Sequence, residues 1–426
     1  MANAAESSKY EILTITKGNR TVRLDGKTTS FDYYESVLSP NVTAVMTFID
    51  TGGSVSYNED YDSQERIGSI YNALPITGQE EVRFKIKSKL GTLDFSNNPL
   101  YVNGALNPGE ESNRQGVALS LVSKTAILNQ EATVFKKYSG NIGDSVRKLV
   151  KEYLPGYNVA VDAVSNSYSF IGNSKSVFDV ICSLGPKSVP GGGGNPGFFF
   201  YETREGLNYK SIDTLITQNS SEPNRYFRTD ALRSGVSDSV NDFKISSMSV
   251  SKNQDVINAL KSGVYYSRNL FFDPKTFKYE EIIYQLSSNG IKKSLGKNAS
   301  FINAKNFTRT HYHIKDVGTL EPTPAGSVNN DPKEWQAKST MRYNILFTQV
   351  LDVQVPCNPN LKAGDTINCD FEIVTQEKKE QGIPDPVQSG KYLIIDLCHH
   401  FDPKRSFTSM RIVRDSYGLY TNKNKS

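Results

Sequence analysis

The feature that most constrains this chain is a strict alternation of apolar and polar residues in two distant segments. In LPITGQEEVRFKI (74–86) a glycine turn precedes Val82, Phe84 and Ile86, which are separated by single polar residues. In NLKAGDTINCDFEI (360–373) a glycine turn again precedes apolar residues at every second position. A period of two is typical of a β-strand that buries one face, because successive side chains point to opposite sides. We therefore expect a mainly β protein.

The alternation extends over two regions of the chain. Residues 8–123 read as antiparallel strands divided by Gly, Pro and Asn turns, which predicts a first β-barrel or sandwich. A second β region comprises 243–285 and 339–415, and we expect these two pieces to form one discontinuous barrel. Between them, 286–338 is irregular and polar, which indicates an inserted, loop-rich region. Residues 416–426 are predicted to be a C-terminal tail.

The intervening residues 124–242 are predicted to form a smaller α+β domain with a polar connector. In NIGDSVRKLVKEYLPG the apolar residues recur at helical spacing until Pro155-Gly156 ends the pattern. A second short helix fits SKSVFDVICSLG, and FFFYETREGLNYKSID (198–213) reads as a β-hairpin.

The end of the inserted region is interpreted as loop, and strands are expected to return at RYNILFTQVLDVQV (342–355). Trp335 precedes this stretch and is interpreted as a local anchor in a polar loop. The two alternating segments suggest an internal repeat. However, the spacing from the glycine to the first apolar strand residue differs by one between them, so two related barrels are only one of several interpretations.

Composition and charge argue against several classes of protein. The net charge of +4 over 426 residues is too mild for a nucleic-acid binder with clustered Lys and Arg. The start, MANAAESSKYEIL, has no charged region followed by an apolar run, and no stretch of about 18 apolar residues occurs, so we expect neither a signal peptide nor a membrane span. The four widely spaced cysteines are expected to be reduced thiols that pack as small apolar residues.

A glycine-rich loop, VPGGGGNPG, contains a G-x-G-x-x-G match at Gly192, Gly194 and Gly197. A dinucleotide site requires a strand before this motif and a helix after it, so that the pyrophosphate meets the helix N-terminus. Here a predicted helix precedes the loop and a predicted strand follows it. We therefore interpret the segment as a surface loop.

The cluster Cys398-His399-His400 holds half of the four histidines. Alternation along a strand over 391–401 directs His399 toward the core. The opposite face is expected to carry Cys398 and His400 together with Tyr392, Ile394 and Asp396.

A zinc site would require this cluster to converge with the two histidines of HYH (311–313), since zinc takes four ligands in tetrahedral geometry. We favour packed or surface residues instead. The chain contains no H-E-x-x-H, G-x-S-x-G or Walker A motif. No catalytic residue, metal ligand or cofactor is predicted.

Several phrases, taken together and in order, resemble the baseplate hub protein of contractile-tailed, T-even-like phages, and most closely that of viruses infecting cyanobacteria. They span roughly residues 10–420. The phrases are SFDYYESVLSPNVTAVMTFIDTG, ALPITGQEEVRFKI, FKKYSGNIGDSVRKLVKEYL, SFIGNSKSVFDVICSLG, FFFYETREGLNYKSIDTLI, DVGTLE, RYNILFTQVLDVQVPCNPNLKAGDTINCDF and SGKYLIIDLCHHFDPKRSFTSMRIVRD.

The resemblance implies a mainly β fold with α+β: two similar antiparallel β-barrels (tube domains), the second discontinuous, plus a smaller α+β domain. It implies a structural virion protein without enzymatic activity or cofactor, located in the baseplate and assembled in the bacterial host cytoplasm. A homotrimer would place six barrels in a pseudo-sixfold ring that links the tail tube to a threefold central spike. The ring would form part of the DNA channel, with Lys and Arg in its lumen offset by Asp, Glu, Asn and Ser.

The implied partners are further copies of the chain, the central spike protein, the tail tube protein and other baseplate (wedge) proteins. Genomic DNA would pass through transiently, and no membrane anchor is expected. The turns expected to shape the barrels are Gly78-Gln79, Gly364-Asp365 and the terminal hairpin around Asp402-Pro403. Two alternatives remain open: a virion protein that binds carbohydrate or a receptor, and a tail-associated peptidoglycan hydrolase with a perturbed carboxylate in a cleft.

Overall fold

A computed structural model of the chain describes nine stretches of it: residues 5–53, 55–58, 65–111, 114–229, 238–286, 293–299, 304–317, 329–373 and 383–418. Parts of all five predicted regions lie outside the described residues. These parts are 54, 59–64 and 112–113 of the first β region, 230–237 of the α+β domain, 374–382 of the second β region, 287–292, 300–303 and 318–328 of the insertion, and 419–426 of the tail.

Strands predominate up to residue 122. In chain order the elements are β1 (Lys9–Lys17), β2 (Arg20–Arg23), β3 (Thr28–Ser36), β4 (Thr43–Asp50), β5 (Val55–Asn58), β6 (Glu65–Gly68), α1 (Ile70–Ala73), β7 (Glu81–Lys87), β8 (Thr92–Asp94), β9 (Leu100–Glu111), β10 (Arg114–Val122) and α2 (Lys124–Glu131). Burial alternates along β4 and β7, as their apolar-polar alternation predicts.

The middle of the chain mixes helices and short strands. Its elements are β11 (Lys137–Tyr138), α3 (Ile142–Tyr153), β12 (Val159–Val161), β13 (Phe170–Ile171), α4 (Val177–Leu184), a 3₁₀ turn (Gly185–Lys187), β14 (Phe198–Thr203), β15 (Gly206–Ser211), α5 (Ile212–Thr217), β16 (Tyr226–Arg228) and α6 (Asp238–Asn241). Both predicted helices are present, and the predicted hairpin is the antiparallel pair β14–β15.

The rest of the chain returns to strands around two further helices. Its elements are β17 (Ser247–Asn253), α7 (Val256–Lys261), β18 (Tyr266–Asp273), β19 (Lys278–Gln285), β20 (Asn298–Ala299), β21 (Arg309–Ile314), α8 (Pro332–Leu346), β22 (Gln349–Pro356), β23 (Thr366–Phe371), β24 (Gly390–Phe401), β25 (Ser406–Arg414) and β26 (Ser416–Tyr417).

One large sheet runs through the molecule and contains the same five-stranded arrangement twice. Its path is β17-β22-β25-β24-β3-β4-β10-β9-β7-β1-β2, and β23 also pairs with β24. The first module consists of β3, β4, β7, β9 and β10, and the second of β17, β22, β23, β24 and β25. In each module the strands, numbered along the chain, lie side by side in the order first, second, fifth, fourth, third, and all of these pairings are antiparallel.

Each module has its own apolar core on one face of the sheet. Phe31, Met46, Phe84 and Leu119 are fully buried in the first core. The second core is built from the equivalent strands and includes Leu351, Ile367, Leu393 and Ile412. Burying each large apolar side chain stabilises the fold by about 1.5–3 kcal/mol. The predicted mainly β fold with α+β is confirmed, whereas closure of each module into a barrel stays a prediction.

Three sequence-based expectations about single elements are wrong. Residues 342–346 continue α8 rather than beginning a strand, and Trp335 lies on that helix rather than in a loop. In the predicted second β region, Tyr266–Asp273 and Lys278–Gln285 do not join the large sheet. They pair with each other, and β18 also pairs with β21, in a separate three-stranded sheet.

The face assignment within β24 is also partly wrong. His399 is buried as expected, and Cys398 and His400 lie on the opposite face. Tyr392 and Ile394 are fully buried, although alternation places them on the face of Asp396. The register against β25 shifts between Ile394 and Asp396, because Ile395 forms a β-bulge that reverses the alternation.

We predict that Gly364→Ala lowers the free energy of unfolding by about 2–4 kcal/mol. Gly364 has a φ of +88°, and an added Cβ would collide with the hydroxyl of Tyr201. Gly104→Ala is the matched control, because nothing lies within 4 Å of an added Cβ there. Urea unfolding of both variants measures the difference, and equal stabilities would contradict the prediction.

Candidate assembly surfaces

Each module begins its third strand with the same turn, closed by an acidic side chain. In the first module the carboxylate of Glu80 accepts hydrogen bonds from the backbone N–H groups of Thr77 (2.8 Å) and Gly78 (2.9 Å). In the second, the carboxylate of Asp365 accepts one from the N–H of Lys362 (3.2 Å). In both cases the acid lies three residues after the first residue of its turn. Such local side-chain bonds fix a tight turn.

The backbone of the two turns also pairs with equivalent residues of the fourth strand. Val102 donates its N–H to the carbonyl of Glu80, and Ile394 donates its N–H to the carbonyl of Asp365. The return bonds come from the N–H of Gln79 to Val102 and from the N–H of Gly364 to Ile394. Gln79 and Gly364 are therefore equivalent, and both have positive φ values, 65° and 88°.

This match explains the one-residue discrepancy in the sequence repeat. Counted from Glu80 and Asp365, the apolar strand residues fall at the same offsets, beginning with Val82 and Ile367. Counted from the glycines, the offsets differ, because the first module places its glycine one position earlier. The segments 74–86 and 360–373 therefore occupy the same place in the same arrangement of strands.

Even an irregularity of the sheet recurs. In β9 the register against β10 shifts after Val102, which leaves Asn103 as a bulge. In β24 the register shifts at the equivalent place, and Ile395 is the bulge. Bulges are features that re-aim strands rather than defects. A shared bulge strengthens the conclusion that the two modules share one design.

The two modules are joined within the chain by pairing of β3 with the second half of β24. The register runs from Asp396 opposite Ser36 to Phe401 opposite Phe31. Beyond this ladder, the N–H of Val37 donates to the carbonyl of Ile395 (2.9 Å), and the Val37 side chain is buried in the second core. The end of β3 is thus built into the second module.

A buried carboxylate secures the same junction. Glu35 is 2% exposed and accepts hydrogen bonds from the Tyr33 hydroxyl (2.8 Å) and from the N–H groups of Arg204 (2.7 Å) and Ala363 (2.8 Å). Burial raises the pKa of Glu35 to about 7, although the hydrogen bonds act in the opposite direction. Glu35 thereby connects the first module, the hairpin of the α+β domain and the turn of the second module.

His399 supports the junction from inside the sheet. Its Nε2 donates to the carbonyl of Leu361 (3.2 Å), so its Nδ1 accepts from the hydroxyl of Thr408 (2.9 Å). Burial lowers the pKa of His399 to about 3, which keeps the ring neutral. This residue is a satisfied core histidine rather than a ligand.

The α+β domain forms hydrogen bonds to the turn of the second module and to the residues just before it. Arg204 donates to the backbone carbonyls of Pro359 and Asn360, and Gln218 donates to the carbonyl of Gly364. The equivalent turn of the first module, which includes Gly78, instead borders an open cleft of about 680 Å³.

The face of the sheet opposite the two cores is largely polar. We call this surface between β22 and β3 the bare face. Its residues are Asp352, Gln354, Ser409, Arg411, Asp396, Cys398, His400, Asp32, Tyr34 and Ser36. Arg411 forms ion pairs with Asp352 (2.9 Å) and Asp396 (3.5 Å). The aspartates outnumber the arginine, so this face carries no excess of positive charge.

The remaining predicted turn lies at the end of β24. Asp402 accepts hydrogen bonds from the N–H groups of Lys404 and Arg405, both at 2.7 Å, and these close the hairpin between β24 and β25. Pro403 lies within the turn. All six predicted turn residues thus lie in tight turns of the large sheet, and their role in shaping barrels stays a prediction.

The features that could carry chemistry do not converge. His313 contacts Asn269 in the three-stranded sheet, whereas His400 contacts Asp32 in the large sheet. Among the described residues, no three His, Cys, Asp or Glu side chains are placed to hold a metal ion. The glycine loop follows a helix and precedes strand β14, in the order expected for a connecting loop. No helix within the described residues is long and apolar enough to span a membrane.

No known protein-family model and no curated protein sequence matches the chain. Solved structures do match. The tail protein from Neisseria meningitidis MC58 superposes with a TM-score of 0.52 at 11% identity, covering 95% of this chain and 96% of that one. The 43 kDa tail protein of prophage MuSo2 from Shewanella oneidensis gives a TM-score of 0.51 at 10% identity, covering 95% and 98%. The chain therefore has, over nearly its whole length, the fold of these two tail proteins.

Replacing Glu35 by Gln should change how stability depends on pH. Because burial raises its folded-state pKa from 4.5 to about 7, the folded protein binds this proton more tightly than the unfolded chain does. The stabilisation is present in full below about pH 4.5 and is lost as the pH rises through about 7. The difference in unfolding free energy between wild type and E35Q should therefore fall by up to about 3 kcal/mol over this range. Urea unfolding at several pH values measures it, and a constant difference would refute the assignment.

Proposed function

We propose that this chain is the baseplate hub of a contractile phage tail, and that three copies form a ring between the tail tube and a central spike. The observation that carries the proposal is the duplication of one five-stranded module, with the two copies joined by strand pairing between β3 and β24. A chain with two equivalent modules presents six modules in a trimer. It can therefore adapt a sixfold tube to a threefold spike.

The internal junction supports a closed ring. A head-to-tail contact that repeats by rotation closes into a ring when the rotation permits it. Strand β17 is the first strand of the second module, as β3 is of the first. Within the described residues, the outer edge of β17 pairs with no other strand. A free strand edge is a template for pairing with another chain. The junction that joins two modules within one chain can thus be repeated between chains.

The elements from α7 to α8 occur once in each chain, so a trimer carries three copies of them. The chain from α7 to α8 lies between the first and second strands of the second module only. A trimer therefore displays six modules but three copies of the insertion. We propose that the tail tube and other baseplate proteins contact the ring of six modules. The central spike is proposed to contact the three copies of the insertion. The particular kinship with viruses of cyanobacteria rests on the sequence phrases alone.

The bare face is the proposed lining of the DNA channel. DNA binds tightly where Lys and Arg side chains cluster, because the phosphates that they neutralise release their counterions. Here Arg411 is held between Asp352 and Asp396, so its charge is already compensated. DNA would pass such a wall without adhering to it.

One observation favours a second candidate function, the binding of a carbohydrate or receptor. The outward face of the three-stranded sheet exposes Tyr279 (70%), Tyr312 (75%) and Ile314 (75%), with Phe277 (78%) beside it. Exposed aromatic rings are common in binding surfaces. A monomeric chain that binds host glycans through these residues would favour this function over the hub.

The mass of the protein in solution tests the hub proposal. At high concentration we expect three times the chain mass of 47.4 kDa by light scattering, and negative-stain images of rings with a central hole. A chain that stays monomeric at every concentration would count against the proposal.

The channel assignment predicts weak binding of double-stranded DNA. The wild-type trimer should bind little DNA at about 0.15 M salt, because Arg411 on the bare face is already paired with Asp352 and Asp396. The variant D352K/D396K should bind at least tenfold more tightly, with an affinity that falls steeply as salt rises. The control D25K/D144K adds the same charge elsewhere. Equal binding by the two variants in a filter or gel-shift assay would contradict the assignment.

A further inference from the structure

We propose that the open cleft beside the turn of the first module receives a specific segment of the neighbouring copy, namely residues 252–257, which span the end of β17 and the start of α7. The proposal rests on the proposed trimeric ring and deepens it, because it identifies the surfaces that meet between chains. The occupant is a second copy of this chain.

The junction within the chain supplies the template. There the end of strand β3 enters the second module at two points. The carboxylate of Glu35 accepts the N–H of Ala363 in the turn, and the N–H of Val37 donates to the carbonyl of the bulge residue Ile395. The Val37 side chain is then 1% exposed.

The first module has counterparts of both contact residues, although the N–H of the first of them, Gly78, already donates to the carboxylate of Glu80 (2.9 Å). Gly78 is equivalent to Ala363, and Asn103 is equivalent to Ile395. Both residues line the cleft of about 680 Å³. The cleft also has apolar walls, formed by Val102, Ile127 and Phe178. The first module therefore leaves an open cleft at the place where the end of β3 packs in the second module.

The free edge of β9 leads directly to this cleft. β7 pairs with β9 only at Leu100 and Tyr101, and β10 occupies the other edge of β9. At the equivalent place, β24 pairs first with β23 and then with β3. Within the described residues, no strand takes the place of β3 beside β9. An added Cβ at Gly104 on this edge would meet open space.

The proposed incoming segment is complementary to the cleft. β17 corresponds to β3, since each is the first strand of its module and pairs with the second. Immediately after β17 the chain exposes Val256 (39%) and Ile257 (66%). By the register of the two strands, Val256 matches Leu38 after β3, and Ile257 follows it. Burial of these side chains against the apolar walls would remove exposed apolar surface from water.

The internal register predicts which residues face each other between chains. Cys398 lies opposite Tyr34 in the β24–β3 ladder. Through their cross-strand partners, Leu106 is equivalent to Cys398 and Lys252 to Tyr34. The proposed β9–β17 pairing therefore places Leu106 of one copy opposite Lys252 of the next.

Crosslinking tests this register. In a Cys182→Ser background, the variant L106C/K252C should form crosslinked dimers and trimers when oxidised or treated with a short bis-maleimide. The control L106C/Y279C pairs the same strand with an exposed residue of the separate three-stranded sheet and should remain uncrosslinked. Crosslinking of both variants to the same extent would overturn the proposal.

A second variant probes the cleft without touching any core. Ile257→Asp changes an exposed side chain, so the variant should fold, and its trimer should dissociate at protein concentrations at least tenfold higher than wild type. Ile283→Asp, at a side chain 50% exposed in the three-stranded sheet, is the matched control and should trimerise like wild type.

The outcomes separate this inference from the proposed function. If the wild type forms trimers, but I257D does so equally well and L106C/K252C does not crosslink, the ring stands and the assigned contact is wrong. If the wild type stays monomeric at all concentrations, both fail. Weakened assembly of I257D together with selective crosslinking would establish the contact.

Discussion

The pairing of β3 with β24 is the interaction on which the rest of this structure depends. It joins two separately packed modules into one sheet and fixes their relative orientation through a ladder of backbone hydrogen bonds. Two further bonds extend the ladder, through the carboxylate of Glu35 and the N–H of Val37. Because the contact uses different edges of two equivalent modules, it is head-to-tail. A contact of this type can be repeated by a third module as readily as by a second.

The two modules differ mainly in what is attached to them. The turn of the second module is covered by the α+β domain, through Arg204 and Gln218. The turn of the first module is left beside an open cleft. The difference is explained if one module was duplicated and the two copies then acquired different attached elements. In the proposed ring, the elements attached to the second module alone occur three times. The five strands that both modules share occur six times.

The sequence predicted most of what depends on alternation. The strands around Val82 and Ile367 follow from a period of two, and helix α3 follows from its apolar face. A count from the glycines misaligns the repeat by one residue, because Gly78 precedes Val82 by four residues and Gly364 precedes Ile367 by three. The position of the acid, Glu80 or Asp365, is what the two turns share. Glycine tolerates positive φ, but Gln79 adopts it too, so the glycine position can shift while the turn stays the same.

Two elements escaped prediction for identifiable reasons. Helix α8 buries polar residues, among them Ser339 and Arg342, so its buried face shows no apolar periodicity. Its start nevertheless carried a signal. Asp331 caps the helix by accepting the N–H of Lys333, and a proline and an acid follow in the first turn.

The other element is the bulge at Ile395. A single inserted residue reverses the alternation of β24, and no local sequence rule marks its position. The equivalent bulge at Asn103 could be recognised only once the two modules were compared strand by strand. Long-range register of this kind is set by pairing partners rather than by the strand itself.

Helix α8 is fastened to the α+β domain and to the second module by buried charge. Arg342 of α8 is fully buried and donates from Nε to Asp213 (2.9 Å) and from Nη1 to Asp415 (2.9 Å). Asp213 belongs to α5 of the α+β domain, and Asp415 follows the last strand of the second module. Removing one partner of such a buried group costs about 3–5 kcal/mol, because the remaining charges lose their compensation. The geometry is therefore restrictive: α8 cannot slide without breaking both ion pairs. A partner that engaged α8 would therefore act on both the second module and the α+β domain through this connection.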